Sequence, residues 1–283
     1  MSTPDVSVTW SDRSGDAWVR EEARVDATLS PLGLGAIERL GLVAGEAVVD
    51  IGCGAGQTVL QLGERVGGSG RVLGVDISEV MLGRARQRVA QAGLTQVQLE
   101  LANAETYAFE AERYDALFSR FGVMFFEDTR AACERMLAAL KPGGRIAFVC
   151  WQALERNDWA LRPLAAVQSV LKLETLPDFF LQGKPGPFRF GDPEPFCQAL
   201  RAAGARDVRA EALEREVQLG AATTLEEAVA YCLEVGPAAR LLAGTEPSVR
   251  EAVTKALRVE LEPLSSARGV WTTSRAWLVS ARR

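Results

Sequence analysis

Val48-Val49-Asp50-Ile51-Gly52-Cys53-Gly54-Ala55-Gly56-Gln57-Thr58 carries an apolar run into a turn with glycine at alternate positions, and helical periodicity begins directly after it. Glycine at this spacing lets the chain turn sharply and lets a ligand approach bare backbone, both of which a Cβ obstructs. Twenty residues beyond Gly56, at the end of the next apolar run, Gly74-Val75-Asp76-Ile77-Ser78 presents a carboxylate. A carboxylate there can accept hydrogen bonds from both hydroxyls of a ribose. A glycine-rich loop alone is weak evidence, but with Asp76 attached the stretch reads as a βαβ unit that holds an adenosine-containing ligand.

Outward from this stretch, residues up to 151 alternate short β-rich runs with helical periodicity, the pattern of a doubly wound, mostly parallel sheet. Strands are expected near Ala47–Ile51, Arg71–Val75, Val97–Leu101, Tyr114–Ser119 and Arg145–Trp151, with helices near Gln57–Val66, Glu79–Gly93 and Asp128–Leu140. Met81, Leu82, Ala85 and Val89 share one helix face, and Ala132, Cys133, Met136, Leu137 and Leu140 share another. Such stripes belong to a core. Ahead of the first strand, Trp18 to Leu40 reads as one or two helices broken at Ser30-Pro31. Beyond Trp151 come a helix (Asp158–Leu173) and a segment from Pro177 to Cys197 crowded with proline and phenylalanine. A helix (Asp192–Ala203), a strand (Asp207–Leu219), two helices (Leu225–Val235 and Pro247–Leu261) and a final strand (Gly269–Ser280) follow.

The glycines and Asp76 fit two ligands, a nicotinamide dinucleotide or S-adenosylmethionine. Gly52, Gly54 and Gly56 follow G-x-G-x-G, whereas the dinucleotide fingerprint is G-x-G-x-x-G. Asp50, two residues ahead, places negative charge where it repels a pyrophosphate and suits a sulfonium and an α-ammonium. Leu140-Lys141-Pro142-Gly143-Gly144-Arg145, a helix stop and turn before the fifth strand, is not something dinucleotide binding calls for.

Together with Asn103-Ala104-Glu105 and Ser119-Arg120-Phe121-Gly122-Val123-Met124-Phe125-Phe126, these motifs resemble the class I S-adenosylmethionine-dependent methyltransferases. More narrowly, they resemble bacterial small-molecule members related to the ubiquinone and menaquinone C-methyltransferases. The likeness is strong over roughly residues 35 to 151 and holds only in outline over the C-terminal third. It implies a Rossmann-like α/β fold with a seven-stranded sheet, an antiparallel last strand and helical lid insertions. The domain plan that follows is a single unit over 1–283, with a helical cap (1–40), a cofactor-binding core (41–151), lid elements (152–200 and 221–262) and terminal strands (201–220 and 263–283). The resemblance also implies S-adenosylmethionine as cofactor. Backbone at Gly52, Cys53, Gly54 and Gly56 would meet its methionine and ribose parts, with Asp50 and Gln57 nearby. Asp76 would hold the ribose, and Ile77 and Met81 would flank the adenine. Asn103, where the family carries an acid, and Ala104 would meet the adenine edge. Ser119 and Arg120 would lie by the cofactor carboxylate and the transferring methyl.

Composition removes several other classes. The chain has 283 residues and no histidine, so Ser-His and Cys-His nucleophilic machinery is absent. The five cysteines are scattered without a C-x-x-C pair, which argues against a metal site and against a cysteine-clustered metalloid substrate trap. A net charge of −5 with no basic stripe argues against nucleic acid as partner. Apolar runs are strand-length, far short of the roughly 20 residues that cross a bilayer. The first residues lack a basic region followed by an apolar one, and a cytoplasmic protein is expected.

Methyl transfer from a sulfonium is an in-line displacement, and alignment in a water-poor pocket is its main requirement. A small, hydrophobic or aromatic acceptor methylated on O or C is the leading expectation, with N- or S-methylation as alternative and a nicotinamide-dependent oxidoreductase as the rival from another class. The acceptor pocket is expected to be aromatic-lined, with Trp18, Phe121, Trp151, Phe180 and Phe190 as candidates. Glu105, Tyr107, Glu127 and Asp128 are possible proton acceptors by position, although solvated loop charge is the plainer reading of each. Cys53 reads as a small residue packed in a turn.

Overall fold

A computed structural model describes Trp10 and residues 13–283. The glycine turn links β1 (Ala47–Ile51), every residue of which is buried, to α3 (Gln57–Val66). Helices α1 (Arg13–Arg20) and α2 (Glu22–Leu40) precede it. β2 (Arg71–Asp76), α4 (Glu79–Gln91), β3 (Val97–Leu101), β4 (Tyr114–Arg120), α5 (Thr129–Ala139) and β5 (Leu140–Trp151) complete the alternating half. There follow α6 (Asp158–Leu171), α7 (Glu194–Ala202), β6 (Arg206–Gln218), α8 (Leu225–Glu234), α9 (Pro237–Leu241) and α10 (Pro247–Leu261). The two-residue β7 (Ser265–Ser266) and the long β8 (Gly269–Arg282) close the chain.

The sheet runs β3-β2-β1-β4-β5-β8-β6, with β7 pairing onto β8. β1 to β5 pair in parallel, and β8 lies antiparallel to both β5 and β6. The mostly parallel architecture and its antiparallel last strand are therefore as expected. Strand order reverses between β1 and β4, and a doubly wound sheet opens its ligand crevice at the carboxyl ends of such a pair.

Two local readings are corrected. The break before the first strand falls at Glu21, between α1 and α2, and not at Ser30-Pro31; α2 continues through Pro31. Proline removes one helical hydrogen bond, but Val25, Leu29, Leu32, Ala36, Ile37 and Leu40 bury one face of α2 in the core. That burial outweighs a cost of about 3 kcal/mol. The fifth strand begins five residues early, at Leu140, because Lys141–Gly144 is absorbed as an irregularity between the pairings Tyr114↔Leu140 and Ala116↔Arg145. The Lys141 ammonium donates to both carboxylate oxygens of Asp115 at 2.8 Å, and Asp115 in turn accepts the Ala47 N–H at 2.9 Å.

Candidate functional site

At the carboxyl ends of β1 and β4, two loops meet back to back. A Cβ on Gly52, whose φ is +72°, would sit 2.8 Å from Gly122 Cα, so bare backbone is needed on both sides. The Ser119 hydroxyl joins the loops, donating to the Ile51 carbonyl at 2.7 Å and accepting the Gly122 N–H at 3.1 Å. Gly54 differs in kind. Its φ is +55°, yet an added Cβ would meet nothing nearer than the end of Met81, at 3.9 Å. The protein leaves that side open, and the side faces a cavity of about 560 Å³.

Asp76 lines the same cavity. Its Oδ2 accepts the Gly54 N–H at 2.8 Å and its Oδ1 the Ser78 N–H at 2.9 Å, which leaves each oxygen a further lone pair. Burial raises its pKa, opposed by those backbone N–H groups. Ile77, Met81, Asn103, Ala104 and Arg120 also line the cavity. The Asn103 side-chain oxygen already accepts the Glu105 N–H at 2.9 Å, so the amide is held as a turn.

Asp50, Cys53, Gly56, Gln57 and Ser119 do not line the cavity; they stand behind its wall. Asp50 is fully buried, its Oδ2 accepting the Thr58 hydroxyl while its Oδ1 has no partner. Burial pushes its pKa up to about 7, against the Thr58 bond and the charge of Arg120. The Cys53 thiol is buried and pushed well above its ordinary value by burial and by the charges of Asp76 and Asp50, which makes it inert packing. Gln57 accepts from the Arg120 guanidinium. Lys141–Gly144 lies at the start of β5, at the end of the strands opposite the crevice, and contributes nothing to the cavity wall.

The rest of the wall is aromatic. Phe121 stacks on Trp151 with ring centroids 3.9 Å apart and planes 8° off parallel, and Trp151 leans on Trp159 at 4.6 Å. Phe121 holds this place with φ at +67°, a conformation a bulky side chain rarely adopts and one that marks stored strain. Trp18 packs edge-on to Trp10 at 5.4 Å, and Trp10 to Phe125 at 5.6 Å. Phe180 lines the cavity; Phe190 does not, because its ring stacks on Phe196 at 4.4 Å within the core. The Pro/Phe segment thus serves two layers, and only part of it faces the crevice.

Sequence reading singled out the Pro/Phe segment, whose Phe179 also lines the cavity, but missed Trp10, Trp159, Tyr231 and Arg240 as individual lining residues. The Arg240 guanidinium sits 3.7 Å from the centroid of the Phe179 ring. Of the four positions considered for proton transfer, Glu105 is occupied with the N–H groups of Glu127 and Asp128, at 3.0 and 2.7 Å. Asp128 caps α5 through Ala131 N–H at 2.9 Å, and Tyr107 is not in the wall. Glu127 lines the cavity but is exposed. Burial raises the Tyr231 phenol far above neutrality. Among the described residues no cluster suited to a metal ion occurs, and no helix is long and apolar enough to cross a membrane.

Residues 48–144 match the family model of a methyltransferase domain. The chain is 37% identical over 119 residues to an aklanonic acid methyltransferase of Streptomyces sp., covering 42% of this chain and 54% of that protein. It is 32% identical over 170 residues to a nocamycin O-methyltransferase of Saccharothrix syringae, covering 58% and 61%. The chain thus spans between half and two thirds of these relatives' lengths. Among solved structures, phosphoethanolamine N-methyltransferase 2 of Haemonchus contortus, determined with S-adenosyl-L-methionine, shares the fold at TM-score 0.56 and 20% identity, over 89% of this chain and 52% of that one.

Proposed function

We propose that the chain is a class I S-adenosylmethionine-dependent methyltransferase, in line with the methyltransferase-domain match over residues 48–144, and that it methylates a small hydrophobic or aromatic acceptor on oxygen or carbon. One observation carries the reading: a single cavity is bounded at one end by the open side of Gly54 and the Asp76 carboxylate, and elsewhere by aromatic rings. In this reading Asp76 takes the ribose hydroxyls on its remaining lone pairs, while Ile77 and Met81 hold the adenine between them. Backbone at Gly52 and Gly54 receives the methionine part, with Cys53 and Gly56 shaping the turn. Ala104 and the exposed amide of Asn103 meet the adenine edge. The cofactor supplies an activated methyl group.

The chain's own contribution is alignment and exclusion of water. Phe121 and Trp151 offer a rigid stacked wall, and ring faces attract a cation such as a sulfonium. Arg120, partly buried and tied to Gln57, sets a positive charge at the end of β4 where a carboxylate or a developing anion is favoured. Trp18, Phe179 and Phe180 enclose the acceptor end. Among the ionisable side chains of the described wall, Asp76 and Glu105 are engaged by backbone N–H groups, burial raises the Tyr231 phenol, and Glu127 is exposed. This favours an acceptor that reaches the site already ionised or readily ionised, a phenol or stabilised carbanion rather than an aliphatic alcohol. The names of the two curated relatives, both of which are methyltransferases, support the same class.

Thermal-shift titration with S-adenosylmethionine, S-adenosylhomocysteine and NAD tests the cofactor, because a ligand that binds only the folded chain raises its melting temperature. Stabilisation by NAD alone would sink the reading. An acceptor screen with isotopically labelled methyl donor then tests the substrate class.

A further inference from the structure

One guanidinium fastens the glycine turn to the helix in front of it. Arg88, in the last turn of α4, donates from Nη1 to the Ala55 carbonyl at 3.2 Å and from Nη2 to Asp26 Oδ2 at 2.8 Å. Glu22 Oε1 lies 3.5 Å from the same Nη1. The pair is mostly shielded, with the Arg88 and Asp26 side chains 15% and 17% exposed. One helical turn earlier, Arg84 holds Glu22 with bonds of 2.5 and 3.2 Å. Gln57 Nε2 donates to the Asp26 carbonyl at 3.2 Å, and its Oε1 accepts from Arg120 in the cavity wall. Ala55 stands between Gly54 and Gly56, both at positive φ, where the backbone has little preference of its own. The turn is therefore held from two sides: Asp76 grips the Gly54 N–H, and Arg88 grips the Ala55 carbonyl.

We infer that Arg88 is a positioning residue for cofactor binding, fixing the Gly54–Gly56 turn in its ligand-ready shape and docking α2 against it through Asp26. The inference rests on the cofactor reading proposed above. A planar fork can bond a carbonyl and a carboxylate at once; a lysine ammonium at the same place is a single point charge on a shorter reach. Loss of Arg88 has two separable effects. It strands the Asp26 carboxylate, whose pKa burial already raises, and it frees the turn.

The two are told apart by a double-mutant cycle on the full chain, with Arg88→Met, Asp26→Asn and both together. Melting temperature is measured without ligand, and S-adenosylhomocysteine affinity is measured calorimetrically. Arg88→Met is expected to lower the melting temperature and to weaken S-adenosylhomocysteine binding about tenfold. Adding Asp26→Asn removes the stranded charge, so melting temperature recovers while affinity stays about tenfold weak. Arg88→Lys, which keeps the charge, is expected to melt near the unmodified chain and still bind several-fold more weakly. If the double variant and Arg88→Lys both bind as tightly as the unmodified chain, Arg88 is only a structural ion-pair residue and the inference is overturned. If the unmodified chain binds no S-adenosylhomocysteine, the cofactor reading falls and takes this inference with it.

Discussion

Asp50 and Asp76 lie close in the fold, yet they do different work, and single substitutions separate them. Asp76 opens on the cavity and anchors the Gly54 N–H. Asp76→Asn is expected to weaken S-adenosylhomocysteine binding by at least tenfold in a calorimetric titration, since a neutral amide loses charge-assisted bonds to ribose and turn alike. Asp50 is sealed behind the wall, and burial lifts its pKa from 3.8 to about 7. The folded chain holds this proton more tightly than the unfolded chain does. Stability from Asp50 is therefore complete below pH 4, declines as pH rises, and is lost once pH passes about 7. Asp50→Asn removes that decline. Its stability relative to the unmodified chain, followed by melting temperature, should climb between pH 4 and 7 and level off above, a free-energy gain on the order of a few kcal/mol by pH 8. A difference that stays constant with pH would contradict this. Asp76 was legible from its spacing after the glycines, whereas the separate situation of Asp50 was not, because a residue's burial and its orphaned oxygen depend on neighbours distant in sequence.

Among the elements, the segment from Pro177 to Cys197 shows how composition under-determines role. Its phenylalanines looked alike in sequence, and a single wall for the acceptor was the simplest reading. In the fold, Phe180 faces the cavity while Phe190 and Phe196 stack inside the core. Phe190→Ala is expected to cost about 3–5 kcal/mol of stability, as large-to-small core changes do. Binding of S-adenosylhomocysteine by the folded fraction should not change. Phe180→Ala should instead alter acceptor turnover, read as a change in acceptor KM in the labelled-methyl assay. Reversal of these two outcomes would show that the layers are assigned the wrong way round. Helix α2 gives the complementary lesson: Pro31 is a breaker by local rule, but the apolar face of the helix outweighs it.

For the whole molecule, the crevice joins parts that are far apart in the chain. The β1 and β4 ends supply the cofactor side, and α1, α6, α8 and α9 supply much of the remaining wall. Binding of the cofactor product should therefore stabilise the chain as a unit. At 100 times its Kd, S-adenosylhomocysteine adds about 2.7 kcal/mol, which for a domain of this size is a rise of about 5–10 °C in melting temperature. A shift confined to Asp76→Asn or absent from the unmodified chain would contradict a folded-state site. The ion pairs joining α2 to α4 lie beside this crevice, which is why Arg88 is expected to be felt in affinity and not only in stability.

The sequence by itself determined the alternating α/β half, the positions of Gly52, Gly54, Gly56 and Asp76, and the lack of any histidine base. These are local: strand period, glycine conformation and the length of one βαβ unit fix them. Lys141–Gly144 was equally legible as a motif, but only the fold shows that it sits at the end of the strands away from the crevice, with Lys141 bound to Asp115. Tertiary structure alone decided the acceptor wall. Trp159, Tyr231 and Arg240 come from separate helices whose apolar faces look like core in sequence, and Phe121 reaches its place through a backbone conformation no composition predicts. Which face of an amphipathic element meets the core and which meets a cavity depends on how whole elements dock, and that is set by packing across the molecule rather than by any one stretch of chain.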